Sequence, residues 1–378
     1  MLVIGLISGT SLDGIDAALV EFGERWELRA FTTLPYTKVE REKIHRTILE
    51  GGPAELCALD AELGEWFAEA AEKVAELGGV ELAEVDLIGS HGQTIWHIPP
   101  TPNRRGASLQ LGCAATIAER TGIDVVSDFR ARDLAAGGEG APLVPWVDQE
   151  LFSAPDQDRV LLNIGGMANL TWVPSQHSKG EAIAFDTGPG NALIDTAVEI
   201  ATAGLLTYDE GGARAARGTP NPQLLAELLD DPYFDRYPPK STGREHFGRP
   251  LVERIIARIG PLTDEEWDDL IATLTCLTAE SIITAIERWV RPLGLDEVIV
   301  SGGGVHNRRL LELLQTALDP IPVLPSGHLG IDPDAKEAVA FAALARAHHL
   351  GVPANLPRVT GAAGPRILGS LTPGRVRG

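Results

Sequence analysis

The run Leu2-Val3-Ile4-Gly5-Leu6-Ile7-Ser8-Gly9-Thr10-Ser11-Leu12-Asp13-Gly14-Ile15-Asp16-Ala17-Ala18-Leu19-Val20 decides the fold. It reads as an apolar strand, a tight polar turn and a second strand. Gly9 and Gly14 keep side-chain bulk out of the turn, so backbone N–H groups can face a ligand. Thr10 and Ser11 add hydroxyl donors, and Asp13 adds a carboxylate able to hold a magnesium ion through water. Such a turn suits the polyphosphate of a nucleotide. Taken alone, it fits an ordinary Gly/Asp hairpin equally well.

The pattern returns at mid-chain. Arg159-Val160-Leu161-Leu162-Asn163-Ile164-Gly165-Gly166-Met167-Ala168-Asn169-Leu170-Thr171-Trp172-Val173 is again strand, Gly-containing turn, strand. Two such hairpins, one early in each half, predict duplicated domains that present their turns to a shared cleft. The echo favours the phosphate reading of the first turn.

Working outward, Glu24 to Leu34 continues the alternation, and Pro53 to Leu77 carries one apolar helical face. Val85 to Gly89 reads as a buried strand ending at Ser90-His91-Gly92-Gln93-Thr94. Ser108 to Thr121 reads as a turn and a helix. Ile123 to Val126 is a strand ending at Ser127-Asp128-Phe129-Arg130. The small-residue stretch Arg132 to Pro142 suits a crossing between domains or a loop near a ligand. Ala182 to Phe185 is a strand followed by the turn Asp186-Thr187-Gly188-Pro189-Gly190-Asn191. Asn191 then caps a helix over Ala192 to Leu205. Pro220 to Lys240 reads as irregular. Thr263 and Glu266 form a capping box ahead of a long helix. Glu297 to Val300 is a strand leading into Ser301-Gly302-Gly303-Gly304-Val305-His306-Asn307. Asp334 to Leu350 is an Ala-rich helix, and the Gly/Pro-rich end reads as a loose tail.

In alternating α/β sheets, ligands bind beyond the carboxyl ends of strands, where nearly all these polar clusters fall. Asp186, between an apolar strand and a helix, is the leading catalytic candidate; a turn-forming Asp is the plainer reading. His91 could polarise a sugar hydroxyl or serve structure alone. Arg130 could fork onto a carboxylate or pair with Asp133 or Asp128. Lys240 and Arg244 could line a phosphate path or simply be solvated. A helical Glu such as Glu337 is by itself usually a solvated one. There is no G-x-x-x-x-G-K-[ST], which excludes a P-loop, and Ser301 to Asn307 lacks the dinucleotide order.

The bulk properties set limits. A chain of 378 residues with 44% hydrophobic content predicts two domains with real cores. A net charge of −21 argues against nucleic acid or an anionic membrane as partner, so anionic substrates must be held by local donors. Cys57, Cys113 and Cys276 show no zinc or disulfide spacing and read as buried small apolar residues. No apolar run approaches membrane-spanning length, and the N-terminal run enters its turn at once, unlike a signal peptide. A cytoplasmic location follows as the expectation.

Together, Gly9 to Gly14, Gly89 to Thr94, Asp128-Phe129-Arg130 with Arg132-Asp133, Gly140 to Pro145, Asn163 to Gly166, Phe185 to Pro189, Pro238 to Glu245 and Ser301 to Gly304 with Asn307 resemble the anhydro-N-acetylmuramic acid kinase family. The resemblance runs from Val3 to about Gly361. It implies an α/β fold of two related actin-like/hexokinase-like (ribonuclease H-like) domains around a nucleotide cleft. The implied domains are 1–131 with about 333–378, and 132–332. It implies ATP and Mg²⁺ as cofactors, with ATP held by Gly9, Thr10, Ser11, Leu12, Asp13, Gly14, Ile15, Asp16, Gly165, Gly166, Ser301, Gly302, Gly303, Gly304 and Asn307. It places the sugar on Ser90, His91, Gln93, Thr94, Arg130, Asp133 and Gly188. Asp186 would be the catalytic base, and Glu337 an acidic partner linked to the metal or its waters. The implied reaction opens a 1,6-anhydro sugar with water and phosphorylates its 6-oxygen, in peptidoglycan recycling. A homodimer is compatible with the sequence. A conventional sugar kinase, an actin-like or chaperone-type nucleotide switch and, more weakly, a dehydrogenase remain as alternatives.

Overall fold

The computed structural model describes every residue except Thr10, Ser11, Pro102, Lys179, Ile331, Pro333 and the last three. The chain opens with β1 (Leu2–Ser8), β2 (Gly14–Phe22) and β3 (Trp26–Pro35), then α1 (Lys38–Glu50) and α2 (Pro53–Leu77). β4 (Leu87–Ile98), β5 (Ala107–Leu111), α3 (Ala114–Thr121), β6 (Val125–Ser127), α4 (Ala131–Ala135) and α5 (Val144–Phe152) follow. Next come β7 (Arg159–Ile164), β8 (Met167–Val173), β9 (Ile183–Pro189), α6 (Ala192–Ala201), α7 (Ala213–Arg217), α8 (Pro222–Leu229), α9 (Pro232–Asp235), α10 (Arg249–Ile259) and α11 (Asp264–Ala285). The chain finishes with β10 (Glu297–Ser301), α12 (Arg308–Leu318), β11 (Val323–Pro325), α13 (Lys336–His349), α14 (Pro357–Thr360) and β12 (Ser370–Thr372).

The strands make two sheets. One runs β12-β6-β4-β1-β2-β3 with β5 paired to β4, and the other runs β11-β10-β7-β8-β9. In the first, β1, β2 and β3 are antiparallel neighbours, while β4 lies parallel to β1 and β6 parallel to β4. The second repeats this with β7, β8 and β9 antiparallel, then β10 and β11 parallel. The orders β3-β2-β1-β4-β6 and β9-β8-β7-β10-β11 therefore coincide, which is the ribonuclease H-like plan used twice. Parallel neighbours cannot be joined by a tight turn, so each β3-to-β4-type crossover carries helices.

The chain divides into two compact units, Met1–Leu151 with Ala335–Gly378, and Phe152–Asp334. The first boundary lies later than the expected 131/132. Residues 132–151 stay with the first unit because Leu143 and Val147 bury beside Phe129 and Phe341. Asp148 also pairs with Lys336 at 3.0 Å, and Leu151 O accepts from Trp26 Nε1 at 3.1 Å.

In the first unit both faces of the sheet are covered, which is why β1 is apolar throughout. Ile4 and Leu6 join Leu59, Leu63 and Phe67 of α2 on one face, while Val3 and Ile7 join α13 on the other. Between Val3 and Ile7, a Cβ on Gly5 would lie 1.9 Å from Ala338 O, and one on Gly89 of β4 would lie 2.2 Å from Phe341 O. The alanines of α13 and these two glycines let helix and sheet backbones touch.

In the second unit, Val160, Leu162, Ile164, Val298 and Val300 pack with Ile282 and Ile286 and with Leu310 and Leu314 of α12. The expected capping box starts α11: Glu266 N donates to Thr263 Oγ1 and Thr263 N to Glu266 Oε2. Contrary to the sequence reading, the helical stretch Asp264–Leu293 is long and apolar enough to cross a membrane. Most of it is buried inside the unit, so its apolar surface serves the core.

Other expectations need correction. β4 and β9 run on through Ser90–Thr94 and Asp186–Pro189, so these clusters lie within strands, not after them. Ala107–Leu111 is a strand because it pairs with the second half of β4. The stretch 220–240 contains α8 and α9. The tail is not loose: β12 pairs with β6, and Leu368 is fully buried. Cys57 is exposed, and Cys113 and Cys276 are only half-buried.

Candidate active site

Asp186 lies at the middle of β9, opposite Asn169 of β8. Its position is fixed from three sides. Its backbone N donates to Lys240 O at 3.0 Å, its carbonyl accepts from Tyr233 Oη at 2.7 Å, and its Oδ2 accepts from Thr242 N at 3.0 Å. Burial pushes its carboxyl up to about pH 6 as a pKa, against the pull of the Thr242 N–H and Lys240. A carboxylate so placed is ionised at neutral pH yet basic enough to take a proton.

The second hairpin turn is on the same sheet edge. Gly190 N donates to Gly166 O and Asn191 N to Gly165 O, which ties the turn to the end of β9. Asn191 precedes α6 without a side-chain cap bond, since its backbone is already helical (φ −82°, ψ −16°) rather than extended; its Nδ2 donates to Ile164 O at 3.4 Å. A Cβ on Gly165 would meet nothing nearer than 3.7 Å, so that face of the turn is open. At the end of β10, Gly302 has φ +77°, and a Cβ there would sit 2.5 Å from Asn163 Oδ1. Gly304 has no room beside Ile164 either. Gly303 begins the short turn that follows. Ser301 Oγ is buried without a hydrogen-bond partner among the described residues, which leaves it a donor for a ligand. Asn307 is less available: its Oδ1 accepts from Leu310 N as the N-cap of α12. Gly188, at φ +153°, has Phe234 Cε1 2.8 Å from its missing Cβ.

In the first unit, the Gly9–Gly14 turn is held from below. Ser8 Oγ lies 2.6 Å from Gln93 Oε1 and 2.9 Å from Gly14 O, and it accepts from Tyr36 Oη at 3.0 Å. Gln93 Nε2 donates to Gly9 O and Thr94 O, each at 3.2 Å. Gln93 is thus spent on shaping the turn rather than on a sugar. Leu12 and Ile15 point into the core, so only their backbone could face a nucleotide. Asp16 accepts from Thr33 Oγ1 at 2.6 Å. Thr10 and Ser11 lie outside the described residues.

The candidate sugar residues of this unit divide sharply. His91 is buried, with Nδ1 2.9 Å from Gly92 O and Nε2 receiving Arg130 Nε at 3.1 Å. Burial, then the Arg130 charge, lowers its pKa to about 3, so it is a neutral acceptor that aims Arg130. Both ring nitrogens being used, it does not polarise a sugar hydroxyl. Arg130 keeps NH1 on Gly140 O at 2.8 Å; burial brings its pKa down to about 10, still fully charged at neutral pH. Glu337, in the first turn of α13, is accessible to water while packing around its carboxyl raises its pKa, opposed by Lys336 and Arg130. Ser90 Oγ is buried and without a partner, and Thr94 is half-buried with Gln110 Nε2 3.4 Å away.

Asp133 departs from its expected role. It is fully buried, its Oδ2 accepts from Gly140 N at 2.8 Å, and its Oδ1 accepts from Asn355 Nδ2 and Thr360 Oγ1, both at 2.7 Å. Three hydrogen bonds from the fold thus occupy the carboxylate. Asp133→Ala would strand three buried donors and should cost about 3–5 kcal/mol in chemical denaturation. A raised sugar KM with unchanged stability would instead make Asp133 a ligand.

A family model described as anhydro-N-acetylmuramic acid kinase matches residues 1–374. The chain belongs to the anhydro-N-acetylmuramic acid kinase family. It is 47% identical over 383 residues to the protein of that name from Salinibacter ruber, covering 98% of this chain and 96% of the relative. It is 43% identical over 383 residues to that from Caldanaerobacter subterraneus, with 98% and 96% covered. For Synechococcus elongatus the figures are 45% over 384 residues, 98% and 99%. This chain is accordingly an enzyme, a kinase with a two-domain α/β fold.

The residues present suit the magnesium that such a kinase implies. Asp13 has an exposed carboxylate beside the first turn, a hard oxygen donor. Among the described residues no three His, Cys, Asp or Glu side chains gather as a metal site, so nucleotide phosphates would have to complete the coordination. Sequence reasoning did not find Tyr233 and Tyr36 and gave Thr242 no role, yet these residues position Asp186 and the first turn. Tyr233 is 47 positions from Asp186, in a stretch without periodicity, and only the folded chain joins them.

Proposed function

We propose that the enzyme hydrolyses the 1,6-anhydro bridge of 1,6-anhydro-N-acetylmuramic acid and transfers the γ-phosphoryl group of ATP to the freed oxygen. The product is N-acetylmuramic acid 6-phosphate with ADP, a step suited to peptidoglycan recycling. The observation that carries this reading is the clamped Asp186 carboxyl, whose Oδ2 is held by the Thr242 N–H and whose pKa is raised to about 6.

Cleavage of a glycosidic bond usually needs one carboxyl as base and another as acid. Here the departing 6-oxygen bonds to the γ-phosphorus as it leaves the anomeric carbon, so no proton is needed on it. Asp186 takes the proton of the water that attacks the anomeric carbon from the opposite face, and inversion results. The backbone N–H groups of the Gly165–Gly166 turn are suited to phosphate oxygens, and the first unit has a Gly-rich turn of its own. Magnesium, held through water by Asp13, would offset charge on the phosphate oxygens. Arg130, steadied by His91, is suited to the lactyl carboxylate. Glu337 would orient water near the metal.

Turnover of the anhydro sugar in oxygen-18 water tests the reaction. Label should enter the anomeric hydroxyl and be absent from the phosphate ester. Phosphorylation without label at the anomeric carbon would identify a conventional sugar kinase. ATP hydrolysis independent of any sugar would point to a nucleotide switch.

A further inference from the structure

A triphosphate approaching a protein of net charge −21 needs a local cation. The loop before α10 carries three, Arg236, Lys240 and Arg244, and Arg236 stacks over the Tyr233 ring at 5.6 Å. Lys240 is buried, donates Nζ to the Tyr233 and Phe234 carbonyls at 3.2 Å each, and lies 4.6 Å from the Tyr233 ring centre. Burial lowers its pKa to about 8, and it is committed to holding the loop under Asp186. Arg244 is exposed, and its guanidinium makes no hydrogen bond or ion pair among the described residues. It lies flat against the second Gly turn: a Cβ on Gly166 would be 3.2 Å from its Nη2 and 3.3 Å from its Nε. A side chain on Gly166 would push the guanidinium back by a few tenths of an ångström, so the glycine lets it sit close. Asp195, in the first turn of α6, interacts electrostatically with Arg244 and forms no ion pair with it among the described residues. Burial pushes that carboxyl up to about 7, while Arg244 pulls it down and Asp209 raises it further.

We propose that Arg244 is the cation that grips the terminal phosphate of the nucleotide at the Gly165–Gly166 turn, with Asp195 as the positioning residue that keeps the guanidinium turned toward it. The inference rests on the kinase reading above and adds a phosphate-binding residue to it. An Arg fork matches two phosphate oxygens, and it stabilises charge that builds as the phosphoryl group moves. A contact to the terminal phosphate alone also separates ATP from ADP, favouring product release.

Nucleotide binding without sugar tests this directly. Arg244→Ala should weaken AMP-PNP by about 10- to 100-fold while leaving ADP within about twofold, since a charged hydrogen bond to the third phosphate is lost. Its kcat should fall about 100-fold, the usual effect of removing one transition-state donor. Arg244→Lys should restore only part, because a point charge cannot fork. Asp195→Asn should give a smaller loss for AMP-PNP, again sparing ADP. Equal losses for ADP and AMP-PNP, or unchanged AMP-PNP affinity in Arg244→Ala, would overturn the assignment. Wild-type protein that binds nucleotide but leaves the anhydro sugar untouched would overturn the substrate reading alone. Wild type that binds neither nucleotide would overturn both.

Discussion

Asp186→Asn should fold normally and bind nucleotide normally, yet turn over the anhydro sugar about 10³- to 10⁴-fold more slowly. The amide oxygen of Asn can still accept from Thr242 N, so the local geometry survives while the proton acceptor is lost. Thermal denaturation and AMP-PNP binding would confirm the intact fold, and single-turnover kinetics would measure the chemical step. In the wild type the same carboxyl sets the pH profile. Its pKa is raised to about 6, so below that pH it is protonated and cannot accept a proton. kcat/KM should therefore fall about tenfold per unit below pH 6, not below the ordinary carboxylate range near 4. Turnover by Asp186→Asn within tenfold of wild type would remove Asp186 as the base.

Gly5→Val should be the most damaging single change to the fold. The added Cβ would fall 1.9 Å from Ala338 O and 2.6 Å from Ala342 N, both backbone atoms of α13 that cannot swing aside. Helix and strand must separate, opening gaps around Val3, Ile7 and Phe341. Overpacking of this kind costs about 3 kcal/mol or more. For domains of this size that lowers Tm by about 6–12 °C. Gly23→Ala is the control, since its Cβ would meet only Arg25 O at 3.6 Å. If both variants melted with the wild type, the helix would not be seated as described.

The duplicated plan was legible because each hairpin is local: the residues that make β1-β2 and β7-β8 adjoin in sequence. The helix Pro53–Leu77 was legible to its ends from its apolar stripe, with Pro53 at its first turn. What escaped was everything set by partners distant in sequence. Ala107–Leu111 is a strand only because β4 continues far enough to pair with it. Ser370–Thr372 looked like tail because nothing nearby announces β6 as its neighbour. The site divides in the same way. Asp186 stood out by its place after an apolar strand. Asp133, placed at the sugar by the family resemblance, has its carboxylate occupied by Asn355 and Thr360 from late in the chain. Residue type and spacing do not reveal whether a buried acid is already satisfied.

The late return of α13 and β12 to the first sheet bears on how the molecule is made. Strands β1 to β6 leave the ribosome early, but the helix that covers Gly5 and Gly89 and the strand that completes the sheet edge are translated only after the whole of the second unit. The continuous segment Phe152–Asp334 has all its own partners before then. Synthesis should therefore finish the middle of the chain first and leave one face of the nascent N-terminal sheet uncovered until α13 emerges, the interval in which it most needs a chaperone.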